Sequence, residues 1–217
     1  MHQGLHARPY NVAWHHRGVL PAAARRPAAE RSTLTPEAWI EAATDVLVNQ
    51  GIDHVRVDVL AQRLGVTRGS FYWHFRDRSE LLSRVLAEWR RAATENLTAR
   101  LAQARADPRD QLRDVISLPF RGRSATRAAR IELAIRAWAR RDDVARQAVD
   151  EADAARMGYI AQVFSGLGFA PLEARQRAFL LYAYVVGESL MPGHGTAAVC
   201  AERARFVEQL MCSALER

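Results

Sequence analysis

Residues 65–75 read Gly-Val-Thr-Arg-Gly-Ser-Phe-Tyr-Trp-His-Phe. At helical spacing Arg68 and Tyr72 share one face, and Ser70 and His74 share the neighbouring one, each pair four residues apart. A planar five-donor cation, a phenol, a hydroxyl and an imidazole then stand together, a set suited to hydrogen bonding with base edges and phosphates. Gly69 carries no side chain and lets a partner approach the backbone closely. Phe71 and Phe75 fall on the opposite face, where they can point inward with Leu60, Leu64 and Val66. An exposed Arg-Ser-Tyr-His set over a buried Phe pair is what a helix needs to enter a DNA major groove.

Such a helix must be held by others. The stretch from Asp58 to Leu64 reads as a short helix, Gly65-Val66 as a tight turn, and Thr67 as the cap of a second helix through about His74. Together they form a helix-turn-helix. Upstream, Thr35-Pro36-Glu37 is a helix start, Trp39, Ile40, Ala43, Val46 and Leu47 recur at helical spacing, and Gly51 is a stop. Downstream, Asp77-Arg78-Ser79-Glu80 resembles a capping box with Asp in the usual Ser/Thr place. It opens a long helix to about Ala106, with Leu81, Leu82, Val85 and Trp89 on its apolar face. Five more helices follow, at about 109–119, 125–140, 142–166, 171–191 and 197–215, and no segment alternates long enough for a strand. The predicted fold is therefore all-α: a mobile arm (1–32), a three-helix helix-turn-helix domain (33–78), and a C-terminal helical domain (79–217) joined to it by the long helix.

All 31 cationic side chains among the 217 residues are arginine, against 24 acids, for a net charge of +7. Without lysine, Schiff-base, pyridoxal-phosphate and P-loop chemistry are excluded. The basic excess lies in the first two-thirds of the chain, which fits a polyanionic partner. Cys200 and Cys212 fall in one helix, roughly 18 Å apart at a rise of about 1.5 Å per residue, beyond disulfide reach. Reduced thiols and a cytoplasmic protein are expected. The longest apolar run, Ala178 to Gly187, is too short for a membrane span, and the early arginines lack the apolar segment of a signal peptide. His2, His6, His15 and His16 come without Cys or carboxylates at ligand spacing, so no metal or other cofactor is expected. No nucleophile motif or Gly-rich phosphate loop points to an enzyme.

The run from Gly65 to Phe75, with Arg78 and Leu81-Leu82 after it and Ile40, Ala43, Leu47 and Gly51 before it, resembles the DNA-binding signature of TetR-type transcriptional regulators. The resemblance covers roughly residues 34–86; beyond residue 90 it is architectural. It implies that Arg68 reads base edges, that Thr67 and Ser70 touch bases or phosphate, that Tyr72 and His74 bond phosphate, and that Trp73 packs on sugar-phosphate, with Gly69 allowing the approach. Two positions depart from the usual pattern: Arg56 stands where Thr or Ser is usual, and Arg78 where Lys is usual. Arg78 keeps the charge at a helix start, and Arg56 replaces a capping hydroxyl with a side chain that reaches phosphate itself. The competing structural readings make Trp73 core, His74 a satisfied helix end and Arg56 a solvated surface residue.

The resemblance further implies a homodimer paired through the last two helices. Phe179, Ala183, Val186, Gly187 and Leu190 on one, and Val199, Phe206, Val207, Leu210 and Met211 on the other, would form its interface. The target would then be a double-stranded inverted-repeat operator. It also implies an effector pocket in the middle helices, with Trp89, Phe120, Trp138, Tyr159, Phe164 and Tyr182 as candidate walls and Arg136 or Arg140 to hold an acidic group. Ordinary core packing is the competing reading for each of these. The expected function is a nucleoid-associated repressor released from DNA by a small apolar or aromatic ligand. The alternative is a DNA-binding regulator, activator or repressor, with no small-molecule effector and controlled by a partner protein.

Overall fold

A computed structural model of the chain describes residues 34–95, 98, 99, 103, 107–191 and 195–213. The expected arm with its four histidines, and most of the expected helix beyond residue 95, lie outside the described residues. Among those described, every regular element is helical.

Helix α1, Pro36–Gln50, starts with proline at its first position and ends at Gly51, whose φ of 87° only glycine adopts freely. A 3-10 turn, Ile52–His54, leads to α2, Val57–Leu64. Helix α2 closes in a Schellman motif: Gly65 is left-handed, and Val66 N–H donates to the Ala61 carbonyl at 3.0 Å. Helix α3, Arg68–Phe71, is shorter than the expected run to His74. Gly69 and the following aromatics have weak helix preference. The chain turns after Phe71, with His74 and Phe75 N–H both bonded to the Phe71 carbonyl. Helix α4, Arg78–Arg90, is capped by Asp77, which accepts from Glu80 N–H, while the Glu80 carboxylate accepts from Arg76 N–H. Instead of running on unbroken, α4 passes into a π turn, Arg91–Glu95.

The remaining helices are α5, Pro108–Ser117, with a 3-10 turn at Leu118–Phe120, then α6, Gly122–Ala139, α7, Asp143–Gly166, α8, Pro171–Leu190, and α9, Ala197–Cys212. Asp107 and Asp142 accept from N–H groups of the first turns of α5 and α7. No helix is long and apolar enough to cross a membrane among the described residues.

Two cores form. The first holds the Trp39, Val46, Leu60, Phe71, Phe75, Leu81 cluster of α1–α4 and continues without a break into Ile135 and Trp138 of α6 and Ala145 and Ala152 of α7. The second joins α5, the end of α7, α8 and α9 through Leu112, Phe164, Leu181, Val207 and Met211. Helix α1 of the head therefore rests on α6 directly, while α4 packs on α7. At the far end, buried Arg177 of α8 pairs with Glu173 and donates to the carbonyls of Met211 and Ser213, each at 2.7 Å. It satisfies carbonyls left open at the end of α9 and stacks on Phe169.

Candidate nucleic-acid interface and effector cavity

Phe71 and Phe75 stack at 5.2 Å between ring centres, and the Trp39 ring meets Phe71 edge-on at 5.3 Å. That packing sets the outer face of α3. Thr67, Arg68 and Gly69 are exposed and Ser70 is half-buried. Thr67 occupies the cap position, yet its side chain makes no cap bond, so the hydroxyl is uncommitted. Tyr72 is exposed, and Trp73 is 87% exposed, which removes the reading of Trp73 as core. His74 is half-buried, with its ring against Phe75.

The arginines around this face are placed differently. Arg56 forks onto Asp58 at 2.8 and 3.2 Å, and Arg63, Arg76 and Arg84 pair with Asp45, Asp77 and Glu80. Arg78, expected to face phosphate, donates instead to the carbonyls of Val55 and Ile52 at 2.6 and 2.8 Å. It ties the start of α4 to the 3-10 turn, a planar two-pronged role that suits a guanidinium better than an ammonium. Arg68 alone in residues 56–91 lacks a partner among the described residues. Gly69 has ordinary helical backbone, and a Cβ there would meet only Thr67 Oγ1, at 3.7 Å. Nothing within the fold requires glycine at that position.

This geometry matches a known module. Residues 40–85 fit the sequence profile of bacterial regulatory proteins of the tetR family. Over that stretch the chain carries a DNA-binding segment of the tetR type. The HTH-type transcriptional regulator SrpR of Pseudomonas putida is 45% identical over 64 residues, 30% of this chain and 30% of that protein. The match thus spans under a third of the curated relative. At the level of fold the likeness is longer. A transcriptional regulator from Rhodococcus sp. Rha1 superposes with a TM-score of 0.64 at 24% identity, over 82% of this chain and 94% of that one. AibR, solved with isovaleryl coenzyme A and operator DNA, superposes with a TM-score of 0.59 at 18% identity, over 81% and 96%.

Behind the TetR-type head lies a cavity of about 450 Å³ between the π turn, α5, α6, α7 and α8. Of the six expected wall residues only Tyr159 and Tyr182 line it. Trp89 and Trp138 belong to the first core under the head, and Phe164 to the second. Phe120, in the 3-10 turn after α5, is half-buried and outside the lining. Sequence reasoning missed the walls themselves. Among these are alanines of α6 (Ala125, Ala128, Ala129) and of the π turn (Ala92, Ala93), small side chains that leave room rather than fill it.

Part of the cavity wall is polar. Arg156 bonds Glu132 at 3.1 and 3.2 Å, Tyr182 Oη at 3.0 Å and Thr94 Oγ1 at 3.2 Å, and lies over the Trp89 ring. Tyr182 Oη donates to Asp153 at 2.6 Å. Burial, opposed by Arg156, pushes the Tyr182 phenol up to about 12. Arg136, expected to hold an acidic group, is taken by Glu132 and Asp153 of its own chain, and those carboxylates raise its pKa against the effect of burial. Arg140 is exposed and away from the cavity.

The expected pairing face is divided as well. Phe179 of α8 and Phe206 of α9 are 61% and 63% exposed, and Ala183, Val199 and Leu210 are exposed beside them. A Cβ at Gly187 would meet open space, so a second helix can approach there. Val207 and Met211, in contrast, are buried in the second core of the same chain, and Val186 and Leu190 line the cavity. One helical stripe was expected where two faces exist. Cys200 and Cys212 are both free thiols.

Proposed function

We propose that the chain is a sequence-specific DNA-binding transcriptional regulator that works as a homodimer and releases an inverted-repeat operator when a small molecule fills its cavity. The observation that carries the reading is Arg68: exposed, without a partner among the described residues, and flanked by an uncommitted Thr67 hydroxyl and a glycine the fold does not need. Arg68 reads a base, most simply guanine through O6 and N7. Thr67, Ser70, Tyr72 and His74 bond phosphate and set register, and Trp73 packs on the sugar-phosphate backbone. Two copies paired through Phe179, Ala183, Phe206 and Leu210 present two reading heads to one duplex. The ligand acts through its differential affinity for two spacings of those heads, since equal affinity shifts nothing. Selection of bound duplexes from random sequence tests this reading. A two-fold symmetric consensus is expected, and recovery of no enriched sequence overturns it.

A further inference from the structure

We propose that the cavity takes an uncharged, largely apolar ligand with one hydrogen-bonding group, a class that excludes carboxylates, phosphates and ammonium compounds; this rests on reading the cavity as the effector site. The argument is one of charge compensation. Four ionised side chains line the cavity among the described residues: Asp114, Arg121, Glu132 and Arg156. They stand in two opposed pairs. Arg121 Nη2 lies 2.8 Å from Asp114 Oδ1 and also bonds the Asp114 carbonyl and Ser117 Oγ. Arg156 and Glu132 form a forked pair, each only 12% exposed, with the remaining edges of the guanidinium on Thr94 and Tyr182 and its face on Trp89. A third pair, Arg136 with Asp153, backs the Arg156–Glu132 pair through Glu132.

An anion entering this space must take Arg156 from Glu132 and leave a buried carboxylate unpaired. A cation must do the reverse. Each displacement strands a desolvated charge, the costly outcome for a buried pair. The rest of the wall is mostly alanine and aliphatic, Leu118 and Ile160 among it, with Thr98, Ser124 and Ser189 as its small hydroxyl residues. The volume of about 450 Å³ falls in the ordinary range for small-molecule sites. Tyr159 supplies the polar contact. It lines the cavity, and its hydroxyl is the one lining side-chain polar atom buried without a partner among the described residues. Burial and the neighbouring Asp114 charge raise its pKa, so it remains an O–H donor at neutral pH. A carbonyl, ester or ether oxygen on the ligand satisfies it.

A matched pair of fluorescent probes tests this on the full chain without DNA. N-phenyl-1-naphthylamine is neutral, and 1-anilinonaphthalene-8-sulfonate is the same ring system bearing an anion. The neutral probe should bind at one per protomer and at least tenfold more tightly than the sulfonate. Glu132→Gln leaves Arg156 short of its counter-charge and should improve sulfonate binding at least tenfold with little change for the neutral probe. If that variant fails to fold, Asp114→Asn frees Arg121 to the same end. Ala129→Trp, or Ala129→Leu should tryptophan not fold, fills the space and should abolish binding of the neutral probe. The proposal is overturned if the sulfonate binds the parent as tightly as the neutral probe, if neither binds, if the carboxylate variants leave the preference unchanged, or if binding survives the filled cavity. Operator affinity, followed separately by anisotropy, reports on the DNA-binding reading, so the two fail independently.

Discussion

Arg68 and Arg156 are the same side chain in opposite settings. Arg68 stands in solvent on α3 with no partner among the described residues, whereas Arg156 is largely buried, bonded to Glu132, Tyr182 and Thr94 and stacked on Trp89. An exposed, unpaired guanidinium costs little to desolvate onto a base edge and keeps its five donors for that partner. A buried, saturated one gives up little to a ligand and instead fixes the shape and neutrality of the space beside it. The head of the molecule offers charge outward. The body cancels charge inward. Recognition of a polyanion and of an uncharged ligand can then reside in one small chain without competing for the same site.

The largest effect expected from breaking this contrast is at Arg68. Arg68→Ala should weaken operator binding by roughly 1–3 kcal/mol per reading head, about twice that for a two-headed complex, with the loss concentrated at one base position. Anisotropy titrations over operators substituted base by base measure it. A loss spread equally over all sequences would assign Arg68 to phosphate instead. His74→Ala should give that uniform loss, with a shallower salt dependence if its partner is phosphate.

Arg177→Met probes the body alone. It removes charge-assisted bonds to Glu173 and to the carbonyls of Met211 and Ser213 from a buried site. A stability loss of roughly 1.5–3 kcal/mol is expected for bonds of this kind, read by urea denaturation. Operator affinity per folded molecule should hardly move, unless the end of α9 also sets the distance between the two heads.

The head was legible in sequence because its determinants are local. The Gly65 turn, the Asp77 cap and the Phe71–Phe75 spacing are each contained within a few residues, and each dictates its own geometry. The body depends on which residues of non-adjacent helices meet. Trp89 and Trp138 were credible cavity walls by type, yet α1 packs on α6 and α4 on α7, and the core under the head takes both. Five of the true wall residues are alanines, whose contribution is absent volume, and no spacing rule signals that. Val207 beside Phe206, and Met211 beside Leu210, show the same limit. Neighbouring positions on α9 lie about 100° apart, and only tertiary packing decides which of each pair turns inward.

Gly69→Ala separates the demands of folding from those of binding within the head. The helical backbone and the open space around a Cβ there predict stabilisation of roughly 0.5–1 kcal/mol in the free protein. Operator affinity should fall, because the added methyl stands where a close backbone approach is needed. Opposite signs in melting and binding experiments would confirm that this glycine serves the partner. If both measurements rise together, Gly69 has no contact with DNA.

The smallest expected energy concerns the joint between the two regions. One face of α6 forms the alanine wall of the cavity. Another face holds α1: Arg127 reaches Glu41 and Asp45 at 3.7 and 3.3 Å, and Arg130 donates to Asn49 at 2.9 Å. Asp45 is at the same time paired with Arg63 of α2. These contacts are solvent-exposed, so the double substitution Arg127→Ala, Arg130→Ala should cost no more than about 1 kcal/mol of stability. Coupling is a different quantity. A ligand pressing on Ala125, Ala128 and Ala129 displaces the helix that grips α1, and without the grip that displacement no longer reaches α3. The ratio of operator affinities with and without a neutral ligand should therefore shrink in the double variant, while the affinity for ligand alone stays the same. An unchanged ratio would assign the transmission to α4 and the π turn after it, whose Trp89 and Thr94 already touch Arg156 at the cavity wall.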